Sequence, residues 1–296
     1  MAVSDSDVGS GPTVLRILLG AQLRKLREAK DVSREEAGYT IRASESKISR
    51  MELGRVGFKE RDVSDLLILY GMIRAEEREA VMRLVREANT PGWWHRFADV
   101  LPSWFQSYVG LEAAASLIRS YDVQFVPGLL QTEEYTRAVI NLGRTGTSDL
   151  HVDQRVTLRM ARQHVLTRPR PIRVWAVLDE AVLRRPMGGP QVMRGQLEHL
   201  LIAIKAPNVT LQIIPFGVGG HAAAGGAFSI LRFPDAQMPD VVYAEQLTSS
   251  LYLDKREDVD RYLEAMERLC LEADEPDKTT DTITAIINSL EGTASP

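Results

Sequence analysis

The sequence predicts an α+β protein: an N-terminal all-α domain followed by a larger α+β domain with a mainly antiparallel sheet. Three observations predict it. Apolar residues recur at helical spacing, with short breaks, over roughly the first 90 residues. The segment NTPGWWHRF at 89–97 then interrupts that pattern. Beyond it, β-branched and aromatic runs alternate with helical stretches and turn signals. A length of 296 residues suits two domains, at about 100–200 residues each. The expected division is a flexible tail at 1–13, a helical domain at 14–90 and an α+β domain at 91–296.

The helical domain reads element by element. In LRILLGAQLRKLREA, Leu15, Leu19, Leu23 and Leu26 form one apolar stripe. SREEAGYT is a second helix, with Ser33 as N-cap and Glu36 three residues on, a capping box. SESKISRMEL is a third, capped by Ser44 and stopped near Gly54. DVSDLLILYGM and AEEREAVMRLVREA supply a fourth and a fifth.

In the second domain, 103–121, 131–140, about 151–167 and about 190–206 read as helices. The third of these follows the polar loop LGRTGTSD. IRVWAVLD, VTLQIIPF, AFSILRF and VVYAEQL have strand character, and SLYLD has it more weakly. Turn signals between them predict hairpin links. Helices at about 255–273 and 281–290 close the chain. In the last one Ile283, Ile286, Ile287 and Leu290 form a narrow stripe. So short a helix is marginal in water, so the stripe must be covered, by its own domain or by a partner.

Composition excludes several classes. Hydrophobic residues are 44% and charged residues 26%, as in an ordinary globular chain. The single cysteine, Cys270, excludes an intrachain disulfide and a cysteine-rich metal site. No run approaches the roughly 18 apolar residues of a membrane span, and the polar start, MAVSDSDVGSGPT, is unlike a secretory signal. A cytoplasmic, nucleoid-associated location is expected. The net charge of −4 hides an asymmetry. Residues 14–59 hold 11 basic and 6 acidic side chains, and the remainder holds 25 and 34. A small basic module on an acidic body points to nucleic acid.

Residues 33–54, SREEAGYTIRASESKISRMELG, read as helix, turn and helix. Ala37, Ile41, Ile48 and Met51 are spaced to share one core, which turns Glu45, Ser46, Lys47, Ser49 and Arg50 outward. A helix fits the major groove and reaches base edges with its N-terminal side chains. Arg reads guanine in two-pronged fashion, and Ser and Glu read other edges. The stretch from Leu23 to Gly54, through LRKLRE, SREEA and SESKISRMELG, resembles the lambda-repressor/Cro type of helix-turn-helix, the Xre regulators. The resemblance implies contacts to double-stranded DNA from Arg34, Ser44, Glu45, Ser46, Lys47 and Arg50, and a structural ion pair between Arg27 and Glu52. One departure is Arg42, which stands where the turn often has a glycine with positive φ.

Residues from about 93 to 290 resemble an uncharacterised domain found behind such modules. The matching pieces include PGLLQTEEYTRAVI, RMARQHVLTRP, VLDEAVLRRPMGG and PNVTLQIIPFGVGGHAAAGGAFSILRFPD. This resemblance implies an antitoxin-like transcriptional regulator encoded beside a small partner protein. The expected partners are DNA, that small protein and a second copy of the chain, with no membrane. The alternative is a ligand-sensing regulator or an enzyme with a small-molecule site in the second domain.

Enzyme readings find little support. GVGGHA at 217–222 satisfies G-x-G-x-x-A but is followed by AAAGG and a strand, not by a helix that could meet a pyrophosphate. His95, His151, His164, His199 and His221 are scattered, with no H-E-x-x-H or C-x-x-C spacing, so no metal and no cofactor are expected. Cys270 shares a helix with Tyr262, Leu263, Met266 and Leu269 and reads as a buried core thiol. Glu245 stands alone among apolar residues in a strand, either a functional carboxylate or a partner-facing charge. Trp93, Trp94, Trp104 and Phe105 flank the junction, filling a domain interface or lining an aromatic pocket. PGLLQT reads as a turn capping a helix through Thr132.

Overall fold

The computed structural model describes residues 12–143, 148–234 and 238–292. The expected tail up to residue 11, and residues 144–147 of the loop LGRTGTSD, lie outside the described residues. The chain divides into two compact units. The first runs to Arg96 and takes in Gln106–Ala114. The second holds Phe97–Phe105 and most of the chain from Ala115 onward.

The first unit is built on five helices: α1 (Pro12–Ala29), α2 (Arg34–Thr40), α3 (Glu45–Glu52), α4 (Glu60–Leu69) and α5 (Ala75–Ala88). The α1 stripe is buried through Leu15, Leu19 and Leu23, while Leu26 is only partly covered. These leucines share one core with Ala37, Ile41, Ile48, Met51, Val63, Leu66 and Val85. Each fully buried Leu or Ile contributes about 1.5–3 kcal/mol. Two glycines let α1 lie directly on the end of α3. A Cβ on Gly20 would stand 2.5 Å from the carbonyl oxygens of Met51 and Glu52. Gly54 has φ +65° and ends α3 against the backbone of Ile17, where a Cβ would come within 2.7 Å.

The second unit is a six-stranded sheet flanked by helices. The helix expected at 103–121 stops early, as α6 (Ser103–Ala114), most of which belongs to the first unit, and the chain turns into β1 (Leu117–Asp122). There follow α7 (Glu133–Leu142), α8 (Asp149–Arg162), β2 (Arg173–Asp179), α9 (Glu180–Arg184), α10 (Pro190–Ala203) and β3 (Val209–Ile214). Then come β4 (Phe228–Arg232), β5 (Val241–Glu245), β6 (Ser250–Leu253), α11 (Arg256–Glu272) and α12 (Thr279–Gly292). The strand order is β3-β2-β1-β4-β5-β6.

The antiparallel expectation holds for β1–β4, β4–β5 and β5–β6. The other half of the sheet departs from it: β1–β2 and β2–β3 are parallel. Parallel neighbours need long crossovers, and the helices between β1 and β3 supply them. The segment holding GVGGHA is likewise no hairpin loop. It leads from β3 to β4, which are separated in the sheet by β2 and β1.

The α11 helix buries Val259, Met266 and Leu269 with Tyr121, Val177, Phe228, Ile230 and Val242 of the sheet. The α12 helix packs on α10 and β3. Its Ile283, Ile286 and Ile287 are buried, and Thr279 Oγ1 donates to the Leu211 carbonyl at 2.7 Å. The C-terminal stripe is therefore covered by its own domain. The aromatic residues at the junction fall in both units: Trp93 and Trp94 in the first, Trp104 and Phe105 in the second. Trp94 is buried, with Trp93 edge-on at 6.1 Å.

Candidate nucleic-acid interface

The two motif helices begin on serine caps. Ser33 Oγ accepts from Glu36 N at 3.1 Å, and Ser44 Oγ accepts from Lys47 N at 3.3 Å. Each cap satisfies a backbone donor that the first turn leaves unpaired. Between the helices the chain reverses through Arg42, whose φ is +55°. The left-handed turn is thus retained without the usual glycine, at a cost of about 1 kcal/mol. Its hydrogen bonds run from Arg42 N to the Tyr39 carbonyl (3.1 Å) and from Ala43 N to the Gly38 carbonyl (2.8 Å).

Gly38 is the residue that sequence reasoning missed here. A Cβ at this position would meet the Ala43 carbonyl oxygen at 2.7 Å, so the absence of a side chain lets α2 cross close under the turn. The available signal was a glycine in mid-helix, costly there unless packing requires it. Ala37, Ile41, Ile48 and Met51 are all buried.

The opposite surface holds the candidate readers. Ser44, Glu45, Ser46 and Arg50 are exposed, and Ser49 is half-buried. Arg50 Nε donates to the Ser46 carbonyl at 3.3 Å, which lays the guanidinium back along α3. Lys47 differs from the expected outward cation. It is half-buried, and its ammonium is 2.6 Å from Asp62 Oδ2 on α4. Reaching a phosphate would require it to leave that carboxylate.

At the end of α3 sits a buried carboxylate with two guanidinium partners. Glu52, whose side chain is 2% exposed, accepts from Arg27 Nε at 2.5 Å and from Arg34 Nε at 3.1 Å. Arg27 Nη2 adds a second bond to Glu52 at 3.2 Å, and Nη1 donates to the Val32 carbonyl at 2.9 Å. The hydrogen bond to Glu52 raises the Arg27 pKa further above its ordinary value. Burial, with the Glu52 charge adding to it, pushes the Tyr70 hydroxyl up to about 12. The triad ties α1, the start of α2 and the end of α3 together. It also anchors Arg34 at its Nε while about a third of that side chain stays exposed.

Among the described residues no group of three or more His, Cys, Asp or Glu could hold a metal ion. Cys270 is half-buried, not a fully enclosed thiol: it packs at the margin of the core between α11 and the sheet, with Arg119 Nη2 3.6 Å from its Sγ. Glu245 is exposed at the end of β5 and accepts from Tyr243 Oη at 2.9 Å. His221 Nε2 lies 2.8 Å from Tyr121 Oη, which ties the β3–β4 connection to β1. Thr132 caps α7, its Oγ1 accepting from Tyr135 N at 3.2 Å. No helix among the described residues is long and apolar enough to cross a membrane.

Comparison with known families adds two matches. Residues 18–81 match a helix-turn-helix domain. Residues 105–285 match a domain of unknown function, DUF5753. No curated protein and no solved structure matches. The first match covers all of α2, the turn and α3, and makes the chain a DNA-binding regulator. The second spans more than half of the chain, which therefore belongs to the family of the domain of unknown function DUF5753 and carries it behind a helix-turn-helix domain.

Proposed function

We propose that the chain is a sequence-specific transcriptional regulator of the Xre type that lays α3 in the major groove of double-stranded DNA. The observation that carries this reading is the exposed edge of α3, with Ser44, Glu45, Ser46 and Arg50 on the surface of a buried helix-turn-helix core. Arg50 is the base reader on this reading. Arg34, anchored on Glu52, meets the sugar-phosphate backbone from the start of α2. Lys47 contributes less, because its charge is already matched by Asp62. One such helix covers few base pairs. A homodimer presenting two recognition helices about 34 Å apart, on a near-palindromic site, supplies the missing affinity.

The second domain, on the same reading, is antitoxin-like and binds a small protein partner in the cytoplasm, where it binds rather than catalyses. The resemblance of residues from about 93 to 290 supports this. So do Leu247, 98% exposed just before the outermost strand β6, and Leu251, 54% exposed within it. Exposed apolar side chains at a sheet edge favour association with another chain. Sequencing of DNA fragments co-purified with the protein from its host tests the central part. One enriched, near-palindromic motif is expected, and fragments without a shared motif contradict sequence-specific binding.

A further inference from the structure

The second unit contains a cavity of about 70 Å³ between α8, the start of α6 and the end of β5. Its walls include Trp104, Phe105, Arg155, Arg159, Arg162 and Glu245. The three arginines stand at spacings of four and three along α8, so they share one helix face. The lining thus brings three guanidinium groups against one carboxylate, and that carboxylate already accepts the Tyr243 hydroxyl.

Two of the arginines are held in place. Arg159 Nη1 donates to Gln131 Oε1 at 2.9 Å. Gln131 is itself buried, and its amide cannot turn: Nε2 donates to the Val126 carbonyl at 2.6 Å, while Oε1 also accepts from Thr136 Oγ1 at 3.0 Å. The PGLLQT turn is therefore the mounting of Arg159. Arg162 is buried, with its guanidinium carbon 5.1 Å from the centre of the Phe105 ring. Groups held this way lose little freedom when a ligand arrives.

From this we infer that the cavity is a binding site for a carboxylate borne on an apolar or aromatic stem. Guanidinium groups match the two oxygens of a carboxylate in fork geometry. Trp104 and Phe105 supply the apolar surface for the stem. The space of about 70 Å³ is well above what one water needs, which leaves room for a carboxylate and the first carbons of its stem. The carboxylate could belong to a free organic acid or to the carboxyl end of a peptide. The site is independent of the reading of α3 and does not require DNA.

Titration calorimetry on the full chain tests it with benzoate, with benzamide, and with an N-acetylated tripeptide ending in phenylalanine as its free acid or its amide. Saturable binding of benzoate or of the free-acid peptide is expected, with at least tenfold weaker binding of the neutral amides. Arg155 is half-buried in the lining and is the residue to reverse. Arg155→Glu should weaken the acid at least tenfold while the melting temperature is retained. If that variant melts early, Arg155→Gln must show a comparable loss. Tighter binding of the peptide acid assigns the carboxylate to a partner chain, and tighter benzoate binding assigns it to a free acid. No saturable binding of either acid, equal binding of acid and amide, or full affinity in both folded variants overturns the assignment.

Discussion

Each unit of this protein steadies an arginine with a buried polar hub, and the two hubs use different chemistry. In the first unit the hub is an anion. Glu52 is nearly inaccessible and meets two guanidinium groups, one structural (Arg27) and one at the surface (Arg34). In the second unit the hub is a neutral amide. Gln131 is equally buried and gathers Arg159, Thr136 and the Val126 carbonyl. Both turn one guanidinium in a set direction. They differ in what remains when they are removed. Losing a buried carboxylate strands a buried cation, whereas losing an amide strands neutral groups and one partly accessible arginine.

The largest expected effect tests that difference in the first unit. Glu52→Ala should destabilise the protein by about 3–5 kcal/mol, the cost of breaking a buried ion pair from one side. Urea denaturation monitored by helix content measures it. A loss under about 1 kcal/mol would show that water reaches Arg27 and that the hub is not ionic in effect. The second unit should respond less. Gln131→Leu removes an acceptor from Thr136 and Arg159 and a donor from Val126, at about 1–3 kcal/mol per buried group left unsatisfied. If it proves costlier than Glu52→Ala by the same method, the comparison is reversed. The smallest effect lies in the turn between the motif helices. Arg42 holds φ +55°, so Arg42→Gly should stabilise the first unit by up to about 1 kcal/mol. A destabilised variant would mean that the arginine side chain makes a contact worth more than its backbone strain.

The first unit was the more legible because its signals are local. Ser33 and Ser44 each accept a backbone N–H three residues on, and Ala37, Ile41, Ile48 and Met51 follow helical spacing into one core. The Arg27–Glu52 pair spans 25 residues and came from resemblance, not from spacing. What escaped depends on neighbours from other elements. Lys47 reads as an outward cation on α3, yet its partner Asp62 lies 15 residues on, in α4. Arg34 reads as a DNA contact, and its tie to Glu52 is visible only once α2 and α3 are folded together.

In the second unit the central strand was the main loss. LIRSYD has only one β-branched residue, Ile118, and continues a helical run. It becomes a strand because β2 and β4 pair with it on either side. Once β1 is taken for helix, the parallel crossovers disappear and only hairpins remain to be inferred. The Gln131 hub is hidden for the same reason. Arg159 lies 28 residues from Gln131, and the Gln196 side chain that ties down Leu130 and Thr132 lies more than 60 away.

The central claim is that the exposed edge of α3 reads DNA. Fluorescence anisotropy against the host-selected DNA motif and against scrambled DNA, at two salt concentrations, tests it with Arg50→Ala and Lys47→Ala. Arg50→Ala should lose about 1–3 kcal/mol on the selected motif and almost nothing on scrambled DNA. Lys47→Ala should lose less, with little change in salt dependence, because its charge is already matched by Asp62. Wild-type affinity for the motif in a folded Arg50→Ala variant would contradict the claim.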